Sequence, residues 1–462
     1  MLQLSVMKKG TSKFSKIFFS RKLFVVYIFL VILFLGTFFL CLPWSSKERV
    51  WTSFLDALFV SSSAMSGTGL TTLNIGSYFS VFGKFVILML LQLGSLGFIT
   101  IIFLVFYLSK KKIGYQERIT VQVISNKEDT RNIVKYLLKI VLVTLLIELI
   151  GVILLAPYLI KKYSFWAGLG HSIFLSVSSF CNAGMDSFNN GKVLGSLTLF
   201  QKNVLIILPV AFLIIIGGIG FGVIFDIFQK KENKKRRLSL SSLIIIIVTS
   251  ILFVGGTIFF LICEWNNPNT IGNMNFGEKL LNSFFLSVSS RTAGFYSFDI
   301  TNLTQASIVM MDILMFIGGS PVSSAGGIKV TTFFILLLLI FKNCNSNNNI
   351  VIFKKQICGR TIIKTIRVFM TFLCIILLSS FIILLSQNGV GTFNQVIFEV
   401  ISAITTTGFT LNFTTYLTTF SQIIIILLML IGRIGIIIIS LMYTTKEQDV
   451  AIDYQDVNIT IG

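Results

Sequence analysis

A short amphipathic stretch that ends in a glycine turn occurs four times in this chain, each time between two long apolar runs. The turns centre on Gly69, Gly184, Gly294 and Gly408, so the spacing stays between 110 and 115 residues. Repetition at a near-constant period constrains architecture more than any single motif, because every copy has to adopt the same supersecondary unit. Each unit reads as a leading helix, a half-helix too short to cross a bilayer, the glycine turn and a trailing helix. The half-helices fall near 53–66, 167–182, 279–292 and 394–406. Their wording repeats as well: 173–179 reads IFLSVSS and 284–290 reads FFLSVSS.

The flanking runs place the repeats in a membrane. With 54% hydrophobic and 12% charged residues and a mean hydropathy of +0.89, too little polar surface exists to cover a soluble domain. Uncharged windows at 23–42, 85–108, 204–225, 238–263 and 368–386 are long enough to cross a hydrocarbon core. Three more cross if polar residues are tolerated: 140–160 with Glu148, 308–341 with Asp312 and Lys329, and 423–443 with Arg433. Eight spans result, and an ionisable residue inside a membrane is costly enough to mark where function sits.

The net charge of +20 has a topological explanation rather than a nucleic-acid one. Most lysines and arginines lie at 1–22, 109–139, 229–242 and 342–367, which share one side if the spans alternate. By the positive-inside rule that side is cytoplasmic, with both termini. The first apolar run is too long for a signal-peptide core and is expected to be retained. Cys41, Cys181, Cys263, Cys344, Cys358 and Cys374 form no CxxC pair, so neither a disulfide framework nor a zinc site is indicated. The expected division is a basic tail 1–22, repeat 1 at 23–108, a basic linker 109–139 and repeat 2 at 140–228. A basic loop 229–237, repeat 3 at 238–341, a basic loop 342–367, repeat 4 at 368–444 and a tail 445–462 follow.

Irregular backbone at membrane depth survives only when buried in protein or lining a water-filled cavity. Four such turns therefore have to meet. The expected fold is all-α, with the repeats in a pseudo-fourfold ring about one axis and the partly negative C-terminal ends of the half-helices aimed at it. Turn carbonyls there would replace the water of a dehydrated cation. Glycine suits the turns because the required backbone angles penalise a Cβ. The competing reading is four ordinary helix C-caps, where glycine is the usual terminator.

At these turns the sequence resembles the Trk/Ktr/HKT superfamily of potassium transporters. The matching segments are Ser66-Gly67-Thr68-Gly69-Leu70-Thr71, Cys181-Asn182-Ala183-Gly184, Arg291-Thr292-Ala293-Gly294-Phe295 and Thr406-Thr407-Gly408-Phe409. Eight spans without an extra N-terminal pair look like the Ktr type B subunit. The resemblance implies a K+ selectivity filter at Gly67, Thr68, Gly69, Cys181, Asn182, Ala183, Gly184, Thr292, Ala293, Gly294, Thr406, Thr407 and Gly408. Glycine at all four centres implies potassium preference, since relatives with serine in the first loop tend to pass sodium. Gly67 stands where a bulkier residue is expected. The resemblance further implies a homodimer on a cytoplasmic ring of nucleotide-binding regulatory subunits, a cell-membrane location, Na+ as a further activating or coupling ion, and no organic cofactor.

A second glycine motif recurs in each trailing helix: QLGSLGF at 92–98, IGGIGF at 216–221, IGGSPVSSAGG at 317–327 and IGRIG at 431–435. The third is a stretch that cannot sustain a helix, and Pro321 removes a backbone donor within it. It is expected to form a loop in the membrane below the filter and resembles the family's gating loop. Its residues are Gly318, Gly319, Ser320, Pro321, Ser323, Ser324, Gly326 and Gly327, with Lys329 at its edge. A kinked helix without a gating role is the alternative. Arg433 holds the matching position in repeat 4, where its permanent charge can repel cations or pair with loop carbonyls.

Glu399 and Asp56 read as acids favouring the N-terminal ends of half-helices, or as cation attractors. Glu148 and Asp312 have no evident partner. His171, the only histidine, reads as a polar residue at the outer face. The leading expectation is channel-like potassium conduction through a four-loop filter gated by the intramembrane loop. Na+- or H+-coupled symport on the same architecture stays open, as does, from another class, a membrane-embedded enzyme or a scaffold. One histidine and no HExxH, GxSxG or paired-acid motif leave little for enzyme chemistry.

Overall fold

The computed structural model describes residues 21–95, 133–188, 196–228, 238–341, 350–352, 355–387 and 389–435. Within them the repeated unit appears four times. Leading helices run over Arg21–Cys41, Ile133–Lys162, Leu240–Cys263 and Gly359–Ser386. Half-helices follow at Phe54–Ser66, Phe165–Phe180, Phe276–Ser289 and Phe393–Ile404. Trailing helices occupy Val81–Ser95, Val204–Ile219, Gln305–Phe316 and Thr419–Leu430.

Among the described residues, three helices are individually long and apolar enough to cross a membrane: Tyr136–Lys162, Leu240–Cys263 and Gly359–Ser386. Their apolar surface faces outward. Leu142, Leu145, Leu149, Ile153 and Leu154 on the second leading helix are all more than half exposed, as a face turned to lipid requires. The other expected spans are shorter or broken. Val204–Ile219 bends by 92° into Phe221–Phe228, where a single span over 204–225 is expected. The break falls at Gly220, whose φ of +90° ends the helix. The window 308–341 is interrupted between Phe316 and Val330. The last trailing helix closes on a π-helical turn, Ile431–Gly435.

Two expected boundaries shift. The helix of repeat 2 begins at Ile133 and that of repeat 4 at Gly359, so Lys135, Lys139, Arg360, Lys364 and Arg367 lie on helices rather than in linkers. No proline interrupts 133–139 or 359–367, so the helical path continues out past the apolar window. The basic segment also holds a small antiparallel hairpin, Ile350–Ile352 with Lys355–Ile357, the one departure from an all-helical fold among the described residues. The basic tail 1–20, most of the linker 109–139, the loop 229–237 and the C-terminal tail lie outside the described residues.

Three of the half-helices start at a polar side-chain cap, and all four are buried toward their ends. Ser164 accepts from the Ala167 N–H, while Thr392 with Gln395 and Asn275 with Glu278 form capping boxes. The C-terminal halves are small and hydroxyl-rich: Ser61, Ser62, Ser63, Ala64 and Ser66 in repeat 1 are fully buried. Lipid is as apolar as a protein core, so burial alone gives such segments little reason to associate. Close packing of small residues and hydrogen bonds between segments do so instead. Ser61 donates to Leu33 O at 3.0 Å, Ser176 to Glu148 O at 2.7 Å and Ser287 to Phe253 O at 2.9 Å, each tying a half-helix to its own leading helix.

Candidate functional site

The four turns share one backbone conformation. The residue two before each central glycine is left-handed: Gly67 at φ 68°, Asn182 at 52°, Thr292 at 67° and Thr406 at 53°. The glycines follow, Gly69 at 102°, Gly184 at 65°, Gly294 at 73° and Gly408 at 90°. A β-branched residue in that region costs roughly 1–3 kcal/mol, and such strain concentrates at functional sites. Gly67 thus occupies the slot that Asn182 and two threonines fill elsewhere, and it does so without that cost. Turn geometry is held from behind. The N–H groups of Thr68, Ala183 and Thr407 donate to the carbonyls of Ser63, Ser178 and Ser402 at 2.9 Å each. In repeats 1 and 4 the glycine N–H also donates to a serine hydroxyl, Ser63 or Ser402, at 3.0 Å.

The turns meet in cyclic order. A Cβ on Gly69 would lie 2.3 Å from Ala183 O, one on Gly184 2.7 Å from Ala293 O, one on Gly294 2.3 Å from Thr407 O and one on Gly408 2.0 Å from Thr68 O. Each glycine therefore abuts the main-chain oxygen before the next glycine, and the fourth closes on the first. Space and φ both exclude a side chain at these positions.

A polar clasp braces every turn against its half-helix. Asp56 accepts from Thr72 at 2.7 Å, His171 pairs with Ser187 at 2.6 Å, and Asn282 and Glu399 accept from Ser297 and Thr414 at 2.5 Å each. Glu399 is buried in mid-helix, while Thr392 and Gln395 supply the cap. The expected capping role for Glu399 is thus replaced by a clasp on the segment following the turn.

On the side of the turns opposite the half-helix N-termini, residues 317–329 form a loop pinned at its neck by a bridge between Ile317 and Ile328. The loop touches repeats 2, 3 and 4. Ser320 N donates to Gly218 O at 3.1 Å, Phe221 N donates to Val322 O at 3.2 Å, and Ser324 Oγ reaches both Phe180 O and Gly217 O at 3.1 Å. Gly326 packs so tightly on Thr405 and Thr406 that a Cβ would fall 2.1 Å from the Thr406 hydroxyl. Arg291, beside the third turn, donates to Gly318 O at 2.8 Å, and Lys329 folds onto Ala325 O at 2.7 Å. The Arg433 guanidinium donates to Ser324 O and, at 2.6 Å, to Gly94 O in repeat 1.

The second glycine motif has a geometric cause. A Cβ on Gly94, Gly217 or Gly432 would meet Met65 O at 2.0 Å, Phe180 O at 2.1 Å or Ile404 O at 2.1 Å. These carbonyls end the half-helices, four residues before Gly69, Gly184 and Gly408. The missing side chain lets the trailing helix lie directly on the turn. Sequence reasoning placed Gly217, Gly218 and Gly220 in the second glycine motif and Arg291 at the start of the third turn, but gave none of them a role in the site.

Of the two acids without an evident partner, Glu148 accepts from Gln92 at 3.0 Å. Cys181 Sγ lies 2.8 Å from Ser95 Oγ in the same neighbourhood. Asp312 stays outside the turn assembly and borders an apolar cavity of about 390 Å³ with Ile317, Ile328 and Phe369. On the side from which the half-helices descend, a cavity of about 40 Å³ reaches Gly69, Gly184, Gly294 and Gly408 together. That exceeds the space one water needs.

Four bent segments converging on main-chain oxygens, in a chain of lipid-facing helices, define a membrane transport protein. The family profile described as TrkH, cation transport protein, matches residues 21–454, and the chain belongs to this family rather than to an enzyme family. It is 35% identical over 431 residues to the potassium/sodium uptake protein NtpJ of Enterococcus hirae, covering 92% of this chain and 94% of that one. It is also 35% identical over 428 residues to the Ktr system potassium uptake protein B of Bacillus subtilis, covering 93% and 94%. The crystal structure of the potassium transporter TrkH from Vibrio parahaemolyticus shares its fold, with a TM-score of 0.70 at 17% identity over 92% of this chain and 85% of that one.

Proposed function

We propose that the chain is the ion-translocating subunit of a potassium uptake system, with eight spans in a pseudo-fourfold arrangement and both termini in the cytoplasm. The cyclic contact of Gly69, Gly184, Gly294 and Gly408 carries the reading. Carbonyls of Thr68, Ala183, Ala293 and Thr407, and those beside them, stand in for the hydration shell of K+ as it passes the ring. Half-helix C-terminal ends add a favourable potential for a cation. The half-helices descend from the extracellular side, so the 40 Å³ cavity is the outer mouth.

Below the ring, the loop 318–327, Lys329 and Arg433 form the gate. Placed across the path and held by Arg433 through Ser324, the loop closes it; movement of the loop opens it. The relatives' names, as members of a Ktr system, support a partner subunit. A homodimer on a cytoplasmic nucleotide-binding ring is the assembly proposed. A second reading, K+ flux coupled to Na+, draws support from the potassium/sodium name of the Enterococcus hirae relative. Potassium uptake by cells lacking their own uptake systems, measured with and without a sodium gradient, tests both: uptake indifferent to sodium favours conduction, strict dependence favours coupling, and absence of uptake refutes both.

A further inference from the structure

The outer cavity holds one charged side chain among the described residues. Its wall comprises the four ring glycines, polar or apolar groups such as Thr71, Thr410 and Tyr296, and Asp186. Asp186 follows Gly184 by two residues. Its Oδ1 accepts the Phe188 N–H at 2.9 Å, which anchors the carboxyl beside the ring. The nearest cation, Lys84, donates instead to the carbonyls of Gly76 and Ser187 at 3.2 Å each. The side chain is half-buried, so a carboxylate there acts through little intervening solvent.

We propose that Asp186 recruits the transported monovalent cation, concentrating it at the outer mouth and taking part in its first dehydration before it enters the glycine ring. No matching acid follows the other glycines: positions two residues on are Thr71, Tyr296 and Thr410. The recruiting charge is therefore single and off-axis. A narrow cleft lined by one sign of charge focuses the field and raises local counter-ion concentration. The proposal rests on the translocation reading above.

The test is 86Rb+ or K+ uptake by the full chain in cells or liposomes against external K+, for wild type, Asp186→Asn and Asp186→Glu. Asp186→Asn is expected to raise the half-saturating concentration about three- to tenfold at unchanged maximal rate, with Asp186→Glu recovering most of it. The gap should narrow in added impermeant salt, which screens the charge. A structural role would not move the salt readout. An unchanged half-saturation in Asp186→Asn, or a loss confined to maximal rate, overturns the proposal; a wild type that carries no cation overturns the translocation reading instead.

Discussion

Arg433 in repeat 4 donates to the carbonyl of Ser324, the residue whose hydroxyl simultaneously reaches Phe180 O and Gly217 O in repeat 2. One side chain thereby ties the middle of the third repeat's loop to the last helix, while its second nitrogen holds Gly94 O in the first repeat. If the loop is the gate, this pair sets how firmly it closes. A hydrogen bond to a charged group contributes about 1.5–3 kcal/mol. Arg433→Ala is then expected to raise flux through reconstituted chains by roughly an order of magnitude or more at the lower end of that range. Unchanged flux would show that the loop is held by its other contacts or does not obstruct the path.

Glycine packing gives a paired prediction on stability. Gly217→Ala sets a Cβ 2.1 Å from Phe180 O; forcing a methyl into such a contact costs about 1–3 kcal/mol. Gly255, on the exposed side of a leading helix, has nothing within 4 Å of its Cβ position. Gly255→Ala is expected to leave stability unchanged or raise it by up to about 1 kcal/mol. Thermal unfolding in detergent should place Gly217→Ala below wild type and Gly255→Ala at or above it.

Glu264 supplies a pH dependence. It caps the third leading helix fully buried and accepts from Ser307 at 2.6 Å, Asn267 at 2.7 Å, Thr270 and Thr304 Oγ1 at 2.8 Å and Thr304 N at 2.9 Å. Burial pushes its pKa up, but the donors from Ser307, Thr304 and Asn267 outweigh that and hold the carboxyl below its ordinary range. A depressed folded-state pKa contributes stability that is present above the unfolded value and lost as pH falls through the folded one. Glu264→Ala should remove this acid-sensitive component and lower stability near neutral pH by about 3 kcal/mol, since several donors lose their acceptor. Equal acid sensitivity of variant and wild type would contradict the assignment.

The repeated unit was legible because its signals are local. Apolar length, half-helix wording and glycine position each follow from one stretch of chain, and the half-helices lie within a few residues of the expected 53–66, 167–182, 279–292 and 394–406. The break at Gly220 was not legible, because 204–225 is apolar throughout and only docking on the loop of another repeat, with Phe221 N bonded to Val322 O, reveals it. Glu399 misled for a related reason. Its distance from the turn suggests a cap, but the helix begins at Phe393 and Thr414, fifteen residues on, is the hydroxyl that folds back to it. Partnerships between repeats, such as Glu148 with Gln92, leave no trace in either segment alone.

The central claim is that the glycine ring selects the cation, and Gly69→Ser tests it most directly. The added Cβ would lie 2.3 Å from Ala183 O at a φ of +102°, so the ring cannot keep its shape. In cells lacking potassium uptake, wild type should restore growth at low K+ and favour K+ over Na+ in tracer competition, and Gly69→Ser should lose that preference while still reaching the membrane. A variant with wild-type K+ preference would contradict the account.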